Sequence, residues 1–177
     1  MNRKELLDRV YAIAFTYEKE NRGCAQSVLA ALQDVFDMKN DDVFRSASAL
    51  SGGVGLSTHG TCGALSGGVM AIGMLFGRER CNFKDPGKTR MIAYGLAKKL
   101  TEKFEDQYGS IICYQVQKSY LGRSFDLWSS IDYADFDKVA YKQERCPHLV
   151  GMAAAWAAEM ILDENERSAG DRPEQSV

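Results

Sequence analysis

The sequence lacks the short motifs that usually indicate a cysteine-based site. None of its five cysteines forms a Cys-x-x-Cys pair, which excludes the thioredoxin motif, the zinc-ribbon and ferredoxin spacings and covalently attached haem. Two histidines and no Glu-x-x-His motif argue against a di-iron carboxylate bundle. No serine lies in a nucleophile elbow, so a hydrolase triad has no support. Any site that uses several cysteines must therefore be assembled by the fold.

The chain also lacks an excess of charge of one sign. It has 22 Lys and Arg against 24 Asp and Glu, a formal net charge of −2, which argues against binding to nucleic acid or to an acidic membrane surface. The N-terminal segment has no signal-peptide core. The longest uncharged run, residues 46–77, is interrupted by glycines, a histidine and hydroxyl side chains, which do not suit a membrane span. We expect a cytoplasmic protein without membrane insertion.

Apolar residues recur at helical spacing along nearly the whole chain, while strand alternation is hard to find. The sequence therefore predicts an all-α, single-domain multi-helix bundle over residues 1–166. A small, polar and disordered tail is predicted over residues 167–177. The predicted helices are 2–19, 22–37, 41–50, 61–77, 88–107, 110–121 and 147–165, with a less clear stretch over 123–144.

The fourth predicted helix is unusually rich in glycine. Gly63 and Gly67 are four residues apart, as are Gly73 and Gly77, although a glycine inside a helix costs about 1 kcal/mol relative to alanine. We expect these glycines to let a neighbouring backbone approach closely, as small residues do at tight helix contacts. The fourth helix is then central to the bundle.

A glycine-rich loop, residues 51–60, leads into this helix. It has no Gly-Lys-Ser/Thr sequence and no preceding strand, so it is not a standard nucleotide-binding loop. Glycine would allow the backbone to fold closely around whatever Cys62 contacts. We predict that Gly60, Thr61 and Gly63 belong to a cofactor-binding segment around Cys62.

Four of the five cysteines lie at predicted helix starts. Unpaired backbone N–H groups and the helix dipole favour an anion there, and they lower the pKa of a cysteine. We therefore expect reactive thiolates at four positions: Cys24 three residues into the second helix, in its first turn, Cys62 at the first position of the fourth, Cys113 at the third position of the sixth, and Cys146 at the cap of the last. We expect Asn21 to cap the second helix and Thr61 to cap the fourth. Cys81 lies in a polar loop without a helix start, and its role stays open.

The two histidines are weaker candidates. His59 is three residues before Cys62, and His148 is two residues after Cys146, so either could bind a metal or transfer a proton. A loop histidine is more often solvated or hydrogen-bonded. Their roles also stay open.

The segments around these cysteines resemble a known family. They read Gly-Cys-Ala-Gln-Ser-Val-Leu at 23–29, Gly-Gly-Val-Gly at 52–55, Gly-Thr-Cys-Gly-Ala-Leu-Ser-Gly at 60–67, Gly-Ser-Ile-Ile-Cys at 109–113 and Cys-Pro at 146–147. The pattern is similar to the redox-active proteins named for four cysteines and a Cys-Gly-Ala-x-x-Gly motif, the C_GCAxxG_C_C family. The resemblance covers about residues 21–162 and is most specific around Cys62. It implies that Cys24, Cys62, Cys113 and Cys146 are the functional cysteines. Some relatives carry haem and an iron–sulfur centre, but this chain lacks a haem-attachment motif.

Three kinds of site remain if the four cysteines converge, because close thiolates repel one another unless a cation neutralises them or they pair as disulfides. The favoured expectation is an iron–sulfur cluster held by four cysteines, in an electron carrier or sensor that meets a redox partner protein. The alternatives are a cofactor-free thiol–disulfide or peroxide-handling oxidoreductase with Cys62 as the attacking thiolate, and a non-enzymatic protein with structural zinc. Whether the chain is an enzyme stays open, and a homo-oligomer is compatible with the sequence.

Overall fold

Helices form nearly all of the regular structure in this computed structural model, which describes residues 1–170. The all-α prediction is confirmed, since those residues contain no strand. The α-helices are α1 (Arg3–Asn21), α2 (Cys24–Val35), α3 (Asp41–Ser46), α4 (Gly63–Phe76), α5 (Arg90–Tyr108), α6 (Cys113–Val116), α7 (Ser130–Ala140) and α8 (Arg145–Gly170). A π-helical turn, Gln117–Leu121, continues α6.

Side-chain caps explain where several helices begin. The Asn2 side chain accepts a hydrogen bond from the Glu5 N–H group, and the Glu5 carboxylate accepts one from the Asn2 N–H group, a capping box at the start of α1. The Asn40 and Ser129 side chains likewise accept hydrogen bonds from backbone N–H groups in the first turns of α3 and α7. These bonds satisfy backbone N–H groups that have no partner inside the helix.

The main hydrophobic core lies among the five longer helices α1, α2, α4, α5 and α8. Helix α8 packs chiefly against α1, and α2 packs chiefly against α4. Leu29, Leu32, Ile72, Phe104 and Ile161 are completely buried there, and burying a side chain of this size contributes roughly 1.5–3 kcal/mol. Helix α4 contacts α2, α5 and α8, which agrees with its predicted central position.

A second, smaller hydrophobic cluster forms beside the main core. Its buried members are Leu121, Phe125, Leu127, Phe136 and Ala140. They come from the π-helical turn, the loop that follows it and α7, a helix within the stretch that sequence periodicity leaves unclear. This cluster supplies one wall of the site described below.

The glycines of α4 differ in what they do. A Cβ atom on Gly67 would lie 2.3 Å from the Ala25 carbonyl oxygen, and one on Gly63 would lie 2.4 Å from the Cys24 Sγ. The prediction of a close approach is therefore confirmed at these two positions. It is wrong for Gly73, where a Cβ atom would meet nothing within 4 Å, and Gly77 follows the end of the helix.

The last helix is longer than the sequence predicts. Helix α8 continues to Gly170, so residues 167–170 of the predicted tail are helical. The physical reason is local pairing, because the Arg167 and Ser168 side chains both donate to the Glu164 carboxylate one turn earlier. The rest of the predicted tail, residues 171–177, lies outside the described residues. Within residues 1–170, no helix has both the length and the apolar character that a membrane span requires.

Candidate functional site

A cavity of about 250 Å³ lies between the main core and the smaller cluster, and four cysteines line it. We call it the cysteine cavity. The four are Cys24, Cys62, Cys113 and Cys146, the same four that the sequence selects. Cys81 is exposed in a short 3₁₀ turn, Arg80–Asn82, away from this cavity. Residues up to 122 positions apart in the sequence, Cys24 and Cys146, thus share one wall.

Each cavity cysteine lies at a helix start, although not where the sequence places it. Asn21 does not cap α2 but ends α1, and Gly23 takes the cap position with a left-handed φ of 90°. The observed positions are the first residue of α2 for Cys24, the cap of α4 for Cys62, the first residue of α6 for Cys113 and the second residue of α8 for Cys146.

Two short backbone segments hold Cys62 and Cys113 near each other. The Cys62 N–H group donates to the Ile111 carbonyl oxygen at 2.7 Å, and the Cys113 N–H group donates to the Gly60 carbonyl oxygen at 3.0 Å. Thr61 forms an isolated antiparallel bridge with Ile112. Thr61 is therefore paired with a neighbouring segment, and α4 has Cys62 at its cap position without a side-chain cap hydrogen bond.

The predicted cofactor-binding segment lies outside the wall of the cysteine cavity. Gly60, Thr61 and Gly63 do not line the cysteine cavity, whereas Gly52 of the loop does. Gly60 accepts the hydrogen bond from Cys113, and Gly63 leaves room for the Cys24 Sγ. Gly60 and Gly63 therefore contact the cysteines from outside the cavity and help to position them.

The glycine loop has a strained backbone that packs against the cysteines. Residues 52–56 all have positive φ, and Val54, with φ 70°, is the least suited to it because its side chain is β-branched. Gly53 has φ 64°, and a Cβ atom there would lie 2.6 Å from the Cys113 Cβ. Only glycine allows this approach, so the loop is shaped by its contact with the cavity wall.

Burial controls the acidity of the four thiols. It raises the pKa of Cys62 and of Cys113 to about 12, and it raises the pKa of Cys24 and of Cys146 well above the ordinary value. Mutual repulsion between the sulfurs acts in the same direction. The expectation of reactive thiolates is therefore wrong for the metal-free protein, because the cost of burying a negative charge exceeds the stabilisation at a helix start.

Backbone N–H groups oppose this effect without overcoming it. Those of Gly52 and Ala25 lower the pKa of Cys24, and those of Ala64 and Leu65 lower the pKa of Cys62. These donors point at sulfur atoms in the cavity wall. They would stabilise a thiolate once another positive charge makes deprotonation favourable.

Glu18, which no sequence motif selects, is a buried carboxylate in the same wall. It is 1% exposed and accepts hydrogen bonds from the Tyr141 hydroxyl at 2.8 Å and from the Ser27 hydroxyl at 2.9 Å. Burial raises its pKa to about 7, although both hydroxyls and Arg22 act against the rise. A signal was available, since Glu18 continues the buried face of Val10 and Ala14 at intervals of four residues.

Aromatic side chains and one arginine complete the cavity on the side of α7. Arg22 stacks over the Tyr141 ring at 4.2 Å from its centroid and forms an ion pair with Asp137. Its backbone has φ 62° and ψ −176°, a conformation that is rare outside glycine. Tyr133 and Phe136 lie in the same wall. Sequence periodicity gave no reason to select them, because the stretch containing α7 has no clear apolar pattern.

The two histidines lie outside the cavity wall and have local partners. His59 is exposed, and its ring lies edge-on to Tyr114 with centroids 6.1 Å apart. His148 is also exposed, and its Nδ1 lies 2.7 Å from the Tyr11 hydroxyl. Both contacts are those of ordinary solvated histidines.

The four thiols share a cavity without meeting at one point. Among residues 1–170, no group of three or more His, Cys, Asp or Glu side chains is arranged around a position where a metal ion could bind. A mononuclear site would need such convergence, since Zn–S bonds are about 2.3 Å long.

Residues 23–160 match the model of a protein family described as "Putative redox-active protein (C_GCAxxG_C_C)". The chain belongs to this family. All four cavity cysteines of this C_GCAxxG_C_C protein lie within the match, which agrees with the resemblance seen in the sequence. The family label reads Gly-Cys-Ala-x-x-Gly, whereas this chain has Gly-Cys-Ala at 23–25 and Cys-Gly-Ala-x-x-Gly at 62–67. It also has five cysteines instead of the four in the label. No curated protein and no solved structure matches the chain.

Proposed function

We propose that this protein is an electron carrier or sensor whose cysteine cavity holds an iron–sulfur cluster. The observation that carries the proposal is that Cys24, Cys62, Cys113 and Cys146 line one cavity. Four cysteine thiolates are the usual ligand set of such a cluster. When bound, the cluster supplies one-electron transfer, and we expect a redox partner protein to exchange electrons with it.

The enclosure of Cys62 and Cys113 favours electron transfer over thiol–disulfide chemistry. Cys62 and Cys113 are 7% and 8% exposed, so the disulfide of another protein would not reach them. Their raised pKa leaves them protonated at neutral pH, and a protonated thiol is a poor nucleophile. An electron needs no open path for a substrate, so burial does not hinder it.

The separation of the thiols favours a cluster over structural zinc. A tetrahedral zinc ion needs four sulfurs around one position, and residues 1–170 offer no such group. A polynuclear cluster joins thiolates that are farther apart, because the four sulfurs are shared among two or more iron atoms. The cavity volume of about 250 Å³ provides space for it.

The cavity wall has the groups that would stabilise ligating thiolates. Binding to iron would release the thiol protons, since metal ligands are deprotonated. The N–H groups of Gly52 and Ala64 that oppose the raised pKa of Cys24 and Cys62 would then donate to ligating sulfurs. Hydrogen bonds of this kind tune the potential of a cluster. Free thiols of this type persist in a reducing cytoplasm, which is where we place the protein.

Oxygen-free purification followed by absorbance, iron, zinc and acid-labile sulfide analysis tests the proposal. We expect brown protein that contains iron and sulfide. Colourless protein with bound zinc would instead support the structural site. Colourless, metal-free protein that loses thiols on mild oxidation would support the oxidoreductase with Cys62 as nucleophile.

Single cysteine variants test which residues hold the cluster. Cys62→Ser should abolish or strongly reduce the iron and sulfide content, because a ligand is lost. Cys81→Ser is the matched control and should retain both, since Cys81 is exposed and outside the cavity. Equal losses in the two variants would contradict the selection of cavity cysteines.

A further inference from the structure

Ser51 has a buried hydroxyl without a partner in the wall of the cysteine cavity. It is the first residue of the glycine loop, and it lines the cavity together with Cys24. Within residues 1–170, its Oγ is the one buried side-chain nitrogen or oxygen without a hydrogen bond. The Oγ lies 3.8 Å from where a Cβ atom on Gly23 would be, which places it beside the backbone that leads into Cys24.

The missing partner is unusual for this part of the molecule. The neighbouring serines are paired, since the Ser57 hydroxyl donates to the Gly53 carbonyl oxygen at 2.8 Å and the Ser48 hydroxyl donates to Gln26 Oε1 at 3.2 Å. Buried polar groups in native proteins are nearly always hydrogen-bonded, and leaving one unpaired is costly. Because Ser51 lines the cavity, a group bound there can supply the partner that its hydroxyl lacks.

The main chain of Ser51 is already committed to the loop. Its carbonyl oxygen accepts the Leu56 N–H group at 3.1 Å. The next residue, Gly52, supplies one of the N–H groups that lower the pKa of Cys24. The side-chain hydroxyl is thus held next to a backbone donor that already points at a sulfur.

We propose that Ser51 donates a hydrogen bond to a sulfur atom of the group bound in the cysteine cavity. This inference rests on the proposed function. A hydrogen bond to sulfur stabilises the more negative, reduced state more than the oxidised state, and it raises the reduction potential. Ser51 is then a residue that sets the potential without being a ligand.

Potentiometric titration of full-length protein purified without oxygen tests this role. Ser51→Ala should retain the iron and sulfide content of the wild type, and its reduction potential should shift to more negative values. Ser51→Thr keeps the hydroxyl at a backbone conformation, φ −63° and ψ 149°, that a β-branched residue adopts readily, and its potential should stay near that of the wild type. Ser48→Ala removes a hydroxyl that is paired elsewhere and should leave the potential unchanged.

Stability provides a second measurement that does not need a potential. In metal-free protein, Ser51→Ala should be at least as stable as the wild type, because the variant removes an unpaired buried hydroxyl. In cluster-containing protein, Ser51→Ala should lose its cluster to a chelator faster than the wild type does.

The two proposals fail in different ways. Iron and sulfide in every variant, with the same potential in Ser51→Ala as in the wild type, would overturn the role of Ser51 and leave the cluster in place. Wild-type protein without iron and sulfide would overturn the proposed function, and the role of Ser51 with it.

Discussion

Replacement of Glu18 by glutamine should change how stability depends on pH. Burial raises the Glu18 pKa from the ordinary value of 4.5 to about 7 in the folded protein. The folded state therefore binds more protons than the unfolded state between these two pH values. The contribution of protonated Glu18 to stability is complete below pH 4.5 and is lost as the pH rises through about 7.

The size of the effect follows from the two pKa values. A tenfold change in proton affinity is about 1.4 kcal/mol, so Glu18 should cost the wild type about 3 kcal/mol of stability on passing from acidic to alkaline pH. Most of this loss falls between about pH 5 and about pH 8. Glu18→Gln has no titrating group there and should lack the loss. The amide can still accept from the Tyr141 hydroxyl and can donate to the Ser27 hydroxyl, so the packing is kept.

Urea unfolding of the metal-free, reduced protein at several pH values measures the difference. Wild type and Glu18→Gln should diverge as the pH rises, with the variant gaining relative stability. Glu102→Gln is a suitable control, because that carboxylate is 55% exposed and should not alter the profile in this range. Parallel profiles for the wild type and Glu18→Gln would refute the burial of an ionisable carboxylate at this position.

Two further predictions follow from α4 and from the cysteines. Gly67→Ala should destabilise the fold by roughly 1–3 kcal/mol, because its Cβ atom would lie 2.3 Å from the Ala25 carbonyl oxygen. Gly73→Ala has open space around it and should stabilise the fold by up to about 1 kcal/mol. Thermal or urea unfolding compares the two variants, and equal effects would contradict the close packing at Gly67. In reduced, metal-free protein at pH 8, a thiol reagent should modify the exposed Cys81 at once and the four cavity thiols far more slowly, with rates that rise together only on unfolding. Fast modification of Cys62 in the folded protein would contradict its raised pKa.

The sequence was sufficient to predict the helical fold and to select the four cavity cysteines. Helical periodicity is local, and it located most helices within a few residues. The family motif and the helix-start positions each separated the four from Cys81. Exact caps were less predictable, because Thr61 is drawn into a bridge with Ile112 by a segment about 50 residues away. That pairing is a tertiary contact, and no local pattern encodes it.

The acidity of the thiols could not be predicted from helix starts alone. The dipole and the free N–H groups are properties of one helix, whereas burial depends on all the elements that surround the sulfur. Cys146 illustrates this, since its pKa is raised by burial first and then by repulsion from Glu18 and the other cavity sulfurs. The sequence indicates the effect of the helix start, whereas burial follows from the assembled fold. Burial has the larger effect on the pKa of these thiols.

The raised pKa values and the proposed cluster are consistent with one another. Four protonated thiols carry no charge, so the metal-free cavity can close around apolar and aromatic side chains without the repulsion that four thiolates would produce. Iron would displace the protons only if the free energy of the iron–sulfur bonds exceeds the free-energy cost of burying the negative charge. The N–H donors at Cys24 and Cys62 reduce that cost. Metal uptake should therefore become more favourable as the pH rises, with proton release from the cavity. Uptake that is independent of pH would mean that the thiols are already deprotonated, and the cavity would then need a source of positive charge other than iron.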